Sequence, residues 1–361
     1  MGLILVVNAG SSSLKSALFK GAERKAEVDV LEIGGAASLR VVSGKKRREE
    51  KVSVVDHHHA LSLALERYVE LGAPAEALDG AGHRIVHGAS EFSAPVRLDS
   101  ETIKRIDAYS ALAPLHNPPA INAILALEEL APELPQIGCF DTAFHANAPE
   151  VAVTFALPAD LRAQGFRRYG FHGLSYEGLV TKLPEVIGGP LPSRVLALHL
   201  GNGASLCAIK DGVGVAASMG YSPIEGLVMG TRSGSIDPVV VLRIAEQRGI
   251  AETERLLSRE SGLWALSGGI SDMRELLASD SEQAAFAVEH FCYWAARHAG
   301  SAMAAMGGVD IVAFTGGIGE HAEPVRDKIM GHLAWAGAPS CVVPCDEEAV
   351  IARAAREMLC V

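Results

Sequence analysis

The sequence is short of positive charge, of long apolar runs near its start and of paired cysteines. Its 361 residues include 32 Lys and Arg against 43 Asp and Glu, so the formal net charge is −11. An acidic chain has no general attraction to nucleic acid or anionic lipid, and an anionic substrate must be bound by a local cationic site. The first apolar run, residues 3–7, is too short for a signal-peptide core or a membrane span. We therefore expect neither a nucleic-acid partner nor a membrane partner.

Six cysteines are scattered along the chain without a Cys-x-x-Cys pair, in a chain too large to need a disulfide framework. A reducing, cytoplasmic location is therefore expected. The Walker A motif, the G-x-S-x-G elbow and the H-E-x-x-H motif are also missing. These absences disfavour P-loop NTPases, α/β-hydrolases and zincins.

A pattern of strand, small-residue loop and strand occurs twice, about half a chain apart. Residues 3–7 and 14–19 are predicted strands around a polar loop. Residues 195–200 and 204–209 flank a Gly-Asn-Gly turn, and residues 213–217 follow as a third strand. Helical periodicity fills the intervals, at residues 60–71, 118–130, 239–248, 284–306 and 347–359. The pattern predicts an α/β class with two domains of similar topology.

The two hairpin loops carry small polar residues that can approach phosphate oxygens through backbone N–H groups and hydroxyls. The first loop, residues 8–13, reads Asn-Ala-Gly-Ser-Ser-Ser and has Lys15 just beyond it, and the second is Gly201-Asn202-Gly203. Either loop alone fits an ordinary hairpin turn equally well. Two such loops in one chain favour the binding of a polyphosphate.

A third glycine-rich segment follows the predicted strand at residues 311–315. Residues 317–322 satisfy G-x-G-x-x-A, the dinucleotide fingerprint, which leaves a nicotinamide-dependent oxidoreductase as an alternative. Residues 323–361 are too few for the rest of a Rossmann domain. We interpret the segment as a close backbone approach to the sugar or base of a nucleotide.

Several segments are dense in His and Arg, each flanked by Gly, Pro or aromatic residues, as in loops at the end of a scaffold. They are residues 83–88, 113–119, 140–145, 168–173 and 230–238. A single histidine of this kind is more often structural than functional. Five such segments in one acidic chain point to a binding site.

Two other polar stretches are expected to be structural. Residues 44–51 are basic at first, but acidic residues follow at once, which favours a solvated hairpin tip over a nucleic-acid patch. Asp56 precedes three consecutive histidines, which cannot all face one metal ion from a helix. Asp56 is therefore expected to cap a helix.

Eight motifs, in order, make the sequence resemble the acetate kinase family. They are Asn-Ala-Gly-Ser-Ser-Ser-Leu-Lys at 8–15, His-Arg-Ile-Val-His-Gly at 83–88, Pro-Leu-His-Asn-Pro-Pro at 114–119, Phe-Asp-Thr-Ala-Phe-His at 140–145, Tyr-Gly-Phe-His-Gly at 169–173, His-Leu-Gly-Asn-Gly at 199–203, Glu-Gly-Leu-Val-Met-Gly-Thr-Arg at 225–232 and Phe-Thr-Gly-Gly-Ile-Gly-Glu at 314–320. The resemblance runs from residue 3 to about residue 357.

The resemblance implies the fold of acetate and sugar kinases, Hsp70 and actin, with duplicated RNase H-like α/β domains, a cleft between them and assembly as a homodimer. Domain one, on the acyl-substrate side with the N-terminal phosphate loop, is expected at residues 1–146 and 348–361. The nucleotide-binding domain two is expected at residues 147–347.

The implied activity is Mg²⁺-dependent, reversible and direct in-line phosphoryl transfer from ATP to acetate, giving acetyl phosphate and ADP, with Mn²⁺ as an alternative metal. Propionate or butyrate kinase is the alternative within the family. A non-catalytic nucleotide-binding regulator of the same fold is an alternative of a different class.

By resemblance, Arg84 and Arg232 hold the carboxylate and the phosphoryl group in flight, a task suited to bidentate guanidinium groups. His172 donates to an equatorial oxygen of the transition state, and His116 lines the same site. Asp141 is the family's acid/base residue. Because a carboxylate acceptor is already ionised at pH 7, we favour a role for Asp141 in orienting Arg84 and organising the magnesium water shell. The presence of these groups argues against the regulator.

The resemblance also assigns the metal and the nucleotide. Asn8 and Glu347 occupy the metal positions, although a carboxylate such as Glu347 also suits a helix N-terminus. His321 stands where the family usually has Asn. The residues assigned to the nucleotide are Ser13, Lys15, His199, Gly201, Asn202, Gly203, Asp272, Met273, Arg274, Gly317, Ile318, Gly319, Glu320 and His321.

The acyl pocket is assigned to Val86, Leu115, Phe171 and Pro223 together with Arg84, although these apolar residues also fit plain core packing. Val86 matters most, because propionate-preferring relatives tend to carry a smaller residue there. One methylene changes binding by about 1 to 3 kcal/mol. We therefore expect acetate to be preferred and propionate to react as well.

Overall fold

The computed structural model describes residues 2–114 and 116–361, and the chain divides into two compact units. Unit 1 takes the chain up to Ala143 together with Asp346–Val361, and unit 2 is Phe144–Cys345. Each unit combines helices with a sheet of its own. The predicted α/β class is confirmed.

The strands of unit 1 are β1 (Leu3–Gly10), β2 (Ser13–Lys20), β3 (Glu23–Leu31), β4 (Ser38–Ser43), β5 (Lys46–Lys51), β6 (Gly80–Ile85), β7 (Val96–Arg97) and β8 (Gln136–Phe140). Those of unit 2 are β9 (Arg194–Leu200), β10 (Ala204–Lys210), β11 (Val213–Ala217), β12 (Ile311–Thr315) and β13 (Ser340–Val342).

The helices of unit 1 are α1 (His57–Glu70), α2 (Ser100–Asp107), α3 (Asn117–Leu130) and, at the far end of the chain, α14 (Glu347–Leu359). Those of unit 2 are α4 (Glu150–Val153), α5 (Ala159–Ala163), α6 (Gly173–Ile187), α7 (Pro238–Arg248), α8 (Ile250–Arg259), α9 (Gly262–Ser267), α10 (Met273–Ala278), α11 (Glu282–Met306), α12 (Gly316–His321) and α13 (Glu323–His332). Short 3₁₀ turns cover Ala75–Ala77, Ser110–Leu112, Ala143–His145 and Ala334–Ala336.

The two sheets share one topology. In unit 1 the order β3-β2-β1-β6-β8 has an antiparallel meander on one side of β1 and parallel strands on the other. In unit 2 the order β11-β10-β9-β12-β13 repeats the same directions around β9. Unit 1 adds β4 and β5 at one edge and β7 at the other. The predicted duplication is therefore present in the strand order as well as in the hairpins.

Central strands read as nearly continuous apolar runs because helices cover both faces of the sheet. β1 and β9 both follow this rule, with four consecutive buried residues each. Helix α14 returns to unit 1 and packs against β6, where a Cβ on Gly82 would lie 2.5 Å from the Ile351 side chain. The glycine thus allows the helix to lie directly on the strand.

The first hairpin turn is tighter than the sequence suggests. β1 continues to Gly10, which pairs with Ser13 of β2, so only Ser11 and Ser12 lie outside the ladder. The prediction of a loop over residues 8–13 is therefore wrong at its ends. Polar side chains resemble a loop in composition, but the ladder is formed by backbone groups, which every one of these residues supplies.

Residues 44–51 and the segment that begins at Asp56 have the structural roles that the sequence predicts. β4 and β5 form an edge hairpin turning at Gly44 and Lys45, and most of β5 is exposed. Asp56 caps α1 by accepting a hydrogen bond of 2.8 Å from the backbone N–H of His59. Among the described residues, no helix combines the length and the apolar character needed to cross a membrane.

Candidate functional site

In unit 1, charged side chains meet at one edge of the sheet. Arg84 is near the end of β6 and Asp141 directly follows β8, and the carboxyl ends of parallel neighbours meet at the same edge. The Arg84 guanidinium donates to Oδ2 of Asp141 from Nε at 3.1 Å and from Nη2 at 2.7 Å. Its Nη1 lies 3.6 Å from Oε2 of Glu347, the first residue of α14. Three residues assigned to the site are thus brought together.

Asp141 is an almost fully buried carboxyl group, with 1% of it exposed. Burial raises its pKa to about 6, the negative charge of Glu347 adds to the rise, and Arg84 opposes it. Its second oxygen, Oδ1, is buried and has no hydrogen-bond partner among the described residues. Buried polar atoms are normally hydrogen-bonded, so this oxygen has room for a partner such as an ordered water or an ion.

The loop after β6 is held by two buried polar side chains. Asn117, at the start of α3, accepts from the N–H of His87 at 3.0 Å and donates to the carbonyl of the same residue at 2.9 Å. The hydroxyl of Thr142 accepts from Gly88 N–H at 3.1 Å. These bonds fix the half-buried Val86, which begins this loop. Asn117 and Thr142 belong to the recognised motifs but were not assigned roles.

The remaining unit 1 residues lie in two places. Asn8 of β1 pairs across the ladder with Lys15 of β2, and Ser13 closes the hairpin opposite Gly10. His116 is the half-buried residue preceding α3. Leu115, assigned to the acyl pocket, lies outside the described residues.

In unit 2, His172 has a strained backbone. It precedes α6 with φ of 57° and ψ of 27°, the left-handed region that non-glycine residues seldom adopt. Its ring stacks on that of His199 with centroids 4.3 Å apart. Both rings are bonded at Nδ1 to a serine hydroxyl at 2.8 Å, His172 to Ser205 and His199 to Ser175.

Arg232 and His172 converge on the Gly201–Gly203 turn. A Cβ on Gly203 would lie 3.4 Å from Nε2 of His172 and 3.7 Å from Nη1 of Arg232. The same Nη1 donates to the carbonyl of Pro223 at 3.2 Å. A guanidinium and an imidazole nitrogen that both face this bare backbone position can bind an anionic oxygen that lies beside it.

A cavity of about 470 Å³ opens beside this turn, within the size range of pockets that bind small molecules and cofactors. It is lined by eight of the residues assigned to the nucleotide: Gly201, Asn202, Asp272, Met273, Arg274, Gly317, Ile318 and His321. The cavity is also lined by Ser271, Leu277, Ala322 and Pro324. Of these four, only Ala322 belongs to a motif noted in the sequence. The other three lie next to or near the assigned residues 272–274 and 321, and this proximity was the one indication in the sequence that they belong to the site.

Two adjacent glycines after β12 have different reasons to be glycine. Gly316 has φ of 78°, and a Cβ there would lie 2.8 Å from the carbonyl oxygen of Leu200, so the fold itself requires glycine. A Cβ on Gly317 would have nothing within 4 Å, and its backbone does not adopt a positive φ. Gly317 is exposed on α12, facing the cavity. A close approach by a ligand is a reason for glycine that the protein alone does not supply.

The other assigned residues of unit 2 do not line the cavity. Gly319 is buried in α12, and the Glu320 carboxylate accepts from Cys345 N–H at 3.0 Å. Phe171 is 2% exposed, and its carbonyl accepts from Nε2 of His145 at 2.9 Å. Ser175, Ser205 and Tyr176, which contact the two histidines or each other, were missed because they carry no motif and meet only in three dimensions.

Known proteins resemble this chain along its whole length. The sequence profile of the Acetokinase family matches residues 3–357. A protein of Rhodopseudomonas palustris (strain ATCC BAA-98 / CGA009) named acetate kinase is 45% identical over 346 residues, covering 93% of this chain and 87% of that protein.

Two crystal structures share the fold closely. The acetate kinase of Porphyromonas gingivalis superposes with a TM-score of 0.91 at 33% identity, and covers 99% of this chain and 100% of its own. A propionate kinase from Francisella tularensis subsp. tularensis SCHU S4 gives 0.94 at 32%, with the same coverage. The sequence match and the shared fold agree, and the chain belongs to the Acetokinase family.

Proposed function

We propose that this chain catalyses the reversible, Mg²⁺-dependent transfer of a phosphoryl group from ATP to acetate, giving acetyl phosphate and ADP. Family membership supports the reaction, and one geometric observation carries the assignment of groups. Nε2 of His172 and Nη1 of Arg232 converge on Gly203, beside a cavity large enough for a nucleotide. The oxidoreductase suggested by the glycine-rich segment is set aside, because that segment lines this cavity as part of a short helix in an Acetokinase-family chain.

The chemistry is mainly positioning and neutralisation of charge. A carboxylate oxygen of acetate attacks the γ-phosphorus in line, and the bond to the bridging oxygen breaks as ADP leaves. The acceptor is already an anion at pH 7, so no general base is required. Electrostatic stabilisation of the transferring group is the main task left to the protein.

On unit 2, Arg232 would bind an equatorial oxygen of the phosphoryl group and His172 would donate to another. The backbone of the Gly201–Gly203 turn and His199 would hold the phosphates, and the cavity around Asp272 and Gly317 would hold the nucleoside. Unit 2 is accordingly the nucleotide-binding domain of this proposal.

On unit 1, Arg84 would bind the acetate carboxylate, with Val86, Leu115 and His116 around the acyl group. Asp141 would orient Arg84 through the ion pair described above. Phe171 and Pro223 of unit 2 complete the residues assigned to the acyl group. Ser13 and Lys15 would approach the terminal phosphate.

The oxygen donors of unit 1 fit Mg²⁺, a hard cation that prefers carboxylate, amide and water oxygens. Asn8, Glu347 and the unpartnered Oδ1 of Asp141 would hold it, mostly through water. When bound, Mg²⁺ neutralises charge on the phosphates. Mn²⁺ has similar ligand preferences and is the expected substitute.

A homodimer, in the cytoplasm, completes the proposal. None of the six cysteines, all of which lie in the described part of the chain, forms a disulfide, and this fits a reducing compartment. Helix α7 buries none of its residues within its unit, and Val239, Leu242 and Ile250 of α7 and α8 are 59%, 62% and 81% exposed. An exposed apolar face of this kind marks an interaction surface. Light scattering of the wild type against Leu242→Glu tests the assignment, with a monomeric variant as the expected result.

The reaction is tested by trapping acyl phosphate with hydroxylamine in the presence of ATP and Mg²⁺. Acetate, propionate and butyrate are supplied in parallel, and kcat/KM is compared. The highest value for acetate is expected. A higher value for propionate would leave the proposed chemistry unchanged but favour the second candidate function, that of a propionate kinase. The likeness to the Francisella tularensis protein is the observation behind this candidate.

A further inference from the structure

A buried chain of hydrogen bonds ends on His172. The hydroxyl of Tyr176, on α6, lies 2.5 Å from Oγ of Ser205 on β10. The same Oγ lies 2.8 Å from Nδ1 of His172. Tyr176 is fully buried and Ser205 is 1% exposed. The three side chains belong to unit 2.

The direction of the protons follows from counting donors and acceptors. Tyr176 has no acceptor for its proton other than Ser205 Oγ among the described residues. Burial raises the pKa of Tyr176 well above its ordinary value, against a smaller lowering effect of the backbone at His199. The phenol therefore keeps its proton and donates it to Ser205.

Ser205 must in turn donate to His172. Its Oγ has only two partners among the described residues, the phenol that donates to it and Nδ1 of His172. A hydroxyl carries one proton. Nδ1 is therefore an acceptor, and in a neutral imidazole the ring proton then lies on Nε2.

We propose that Ser205, aligned by Tyr176, is a positioning residue that holds His172 in the Nε2–H tautomer and aims this N–H at the transferring phosphoryl group. The inference rests on the proposed function for its catalytic meaning, and on the hydrogen-bond count for the tautomer. It concerns residues that lie outside the recognised motifs, apart from His172 itself.

Three further features support the assignment. Nε2 is the His172 atom that would lie 3.4 Å from a Cβ on Gly203, on the side where the phosphoryl group is placed. The left-handed backbone of His172 requires a compensating interaction, and the Ser205 bond supplies one. The His199 ring stacks on the His172 ring with centroids 4.3 Å apart, which helps to fix the orientation of the ring that carries Nε2.

The test combines kinetics with ¹⁵N NMR of the histidine rings in the full-length chain. Ser205→Ala removes the acceptor and donor next to His172, and Tyr176→Phe removes only the group that sets the serine proton. Loss of the partner that orients a metal-bound histidine typically lowers activity about 10- to 100-fold, and we take the same range for His172. We expect that loss in kcat for Ser205→Ala and a smaller loss for Tyr176→Phe, with the KM values for ATP and acetate unchanged.

The ring spectra report the tautomer without requiring turnover. The His172 resonances are identified by their loss in His172→Gln. In the wild type they are expected to show a protonated Nε2 and an unprotonated Nδ1, and in Ser205→Ala a mixture of both neutral forms. An Nδ1–H ring in the wild type, or an unchanged ring and kcat in Ser205→Ala, overturns the proposal.

Unit 1 offers a matched control. Ser16 Oγ lies 3.0 Å from the Tyr68 hydroxyl, and both side chains are buried, but this pair ends on the carbonyl of Val28 rather than on a histidine. Ser16→Ala and Tyr68→Phe are expected to leave kcat and the His172 spectrum unchanged. Equal losses of kcat in both pairs would show a general effect on stability and would refute a positioning role.

Failure of the proposed function gives a different result. If the wild type forms no acyl phosphate from any of the three acids while His172 shows the Nε2–H form that Ser205→Ala abolishes, the reaction is wrong and the tautomer assignment holds. If acetyl phosphate forms and the tautomer is the other one, the reaction holds and the positioning role is wrong.

Discussion

At the scale of single residues, the two arginines of the site have different surroundings. Arg84 neutralises a carboxylate that has almost no contact with water, whereas Arg232 donates to a main-chain carbonyl at Pro223. A charge buried by the fold depends on its partner for stability. Arg84 therefore stabilises unit 1 in addition to its proposed part in the reaction, and substitutions of the two arginines are expected to have different effects.

The first prediction concerns stability. Arg84→Ala leaves Asp141 buried without its cation, and removal of one partner of such a pair lowers the free energy of unfolding by about 3–5 kcal/mol. Urea unfolding at pH 7 measures the change. Lys328→Ala is the matched control, because both Lys328 and its partner Glu289 are exposed and such surface pairs contribute about 0.2–1 kcal/mol. Equal losses in the two variants would contradict the account of Asp141.

The second prediction concerns catalysis. Arg232→Ala removes the charge that we propose acts on the transferring phosphoryl group, and loss of one such donor is expected to lower kcat about 10²- to 10³-fold. The KM for ATP is expected to change far less, because the cavity proposed to bind the nucleoside is intact. Steady-state kinetics with ATP and acetate separate the two constants. An unchanged kcat would remove Arg232 from the catalytic groups.

The third prediction concerns the choice of acid. Val86→Ala enlarges the site beside Arg84, and one additional methylene is worth about 1–3 kcal/mol of selectivity. The ratio of kcat/KM for propionate to that for acetate is expected to rise accordingly in the hydroxylamine assay. A ratio that does not move would show that Val86 is only part of the core.

At the scale of elements, α12 is a short helix whose first residues differ in what they tolerate. Gly316 is required by its own backbone and by Leu200, but Gly317 is surrounded by open space. In a helix, glycine is less stable than alanine by about 0.5–1 kcal/mol. Gly317 lowers the stability of the helix without relieving any contact within the protein, and this fits a ligand that lies against it.

The fourth prediction follows from this difference. Gly317→Ala is expected to leave the melting temperature equal or slightly higher, while the KM for ATP rises because the new methyl group meets the nucleotide. Gly331→Ala is the control, since this glycine also lies in a helix with nothing within 4 Å of a Cβ. It should raise stability without any change in KM. If Gly317→Ala has the same KM for ATP as the wild type, the nucleotide does not contact this residue and binds elsewhere.

Helices and strands with a clear periodicity of apolar residues were predictable from the sequence. The turns that connect them were less predictable. Helix α14 has its predicted limits, because Asp346 caps it and its apolar residues recur at helical spacing. Strand β11 likewise matches the prediction at Val213–Ala217. The first hairpin was misjudged, since polar residues that belong to a ladder have the same composition as a loop.

The candidate site was predictable only where a motif marked it. Arg84 and Asp141 are neighbours because parallel strands end together, which the strand pattern suggests. Ser205 and Tyr176 carry no local signal, because a serine in a strand and a tyrosine in a helix are ordinary core residues until the fold places them beside His172. Contacts between distant segments of this kind are absent from any local pattern.

At the scale of the whole molecule, both units keep neutral histidines in their interiors. Burial lowers the pKa of His83 in unit 1 and of His145 in unit 2 to about 4. The unfolded chain binds a proton at these residues near pH 6.5, where the folded chain does not. Stability contributed by the neutral forms is therefore complete above about pH 6.5 and decreases as the pH falls towards 4.

The fifth prediction is the slope of this dependence. Each buried histidine contributes about 1.4 kcal/mol per pH unit between the two pKa values. Chemical unfolding at a series of pH values from 7 to 4.5 measures the slope. His83→Gln and His145→Gln are each expected to reduce the slope by the amount that corresponds to about one proton. A slope that is the same in the wild type and in both variants would contradict the assignment of neutral buried rings.

The return of α14 to unit 1 has a consequence for biosynthesis. Unit 2 is one uninterrupted segment, and all of it leaves the ribosome before α14 does. Domains generally fold as units during synthesis, so unit 2 can complete its sheet while β6 of unit 1 still lacks the helix that covers Gly82. The nascent chain is thus expected to complete unit 2, the half proposed to bind the nucleotide, first, and the half that carries Arg84 and Asp141 is expected to mature only after translation has passed residue 346.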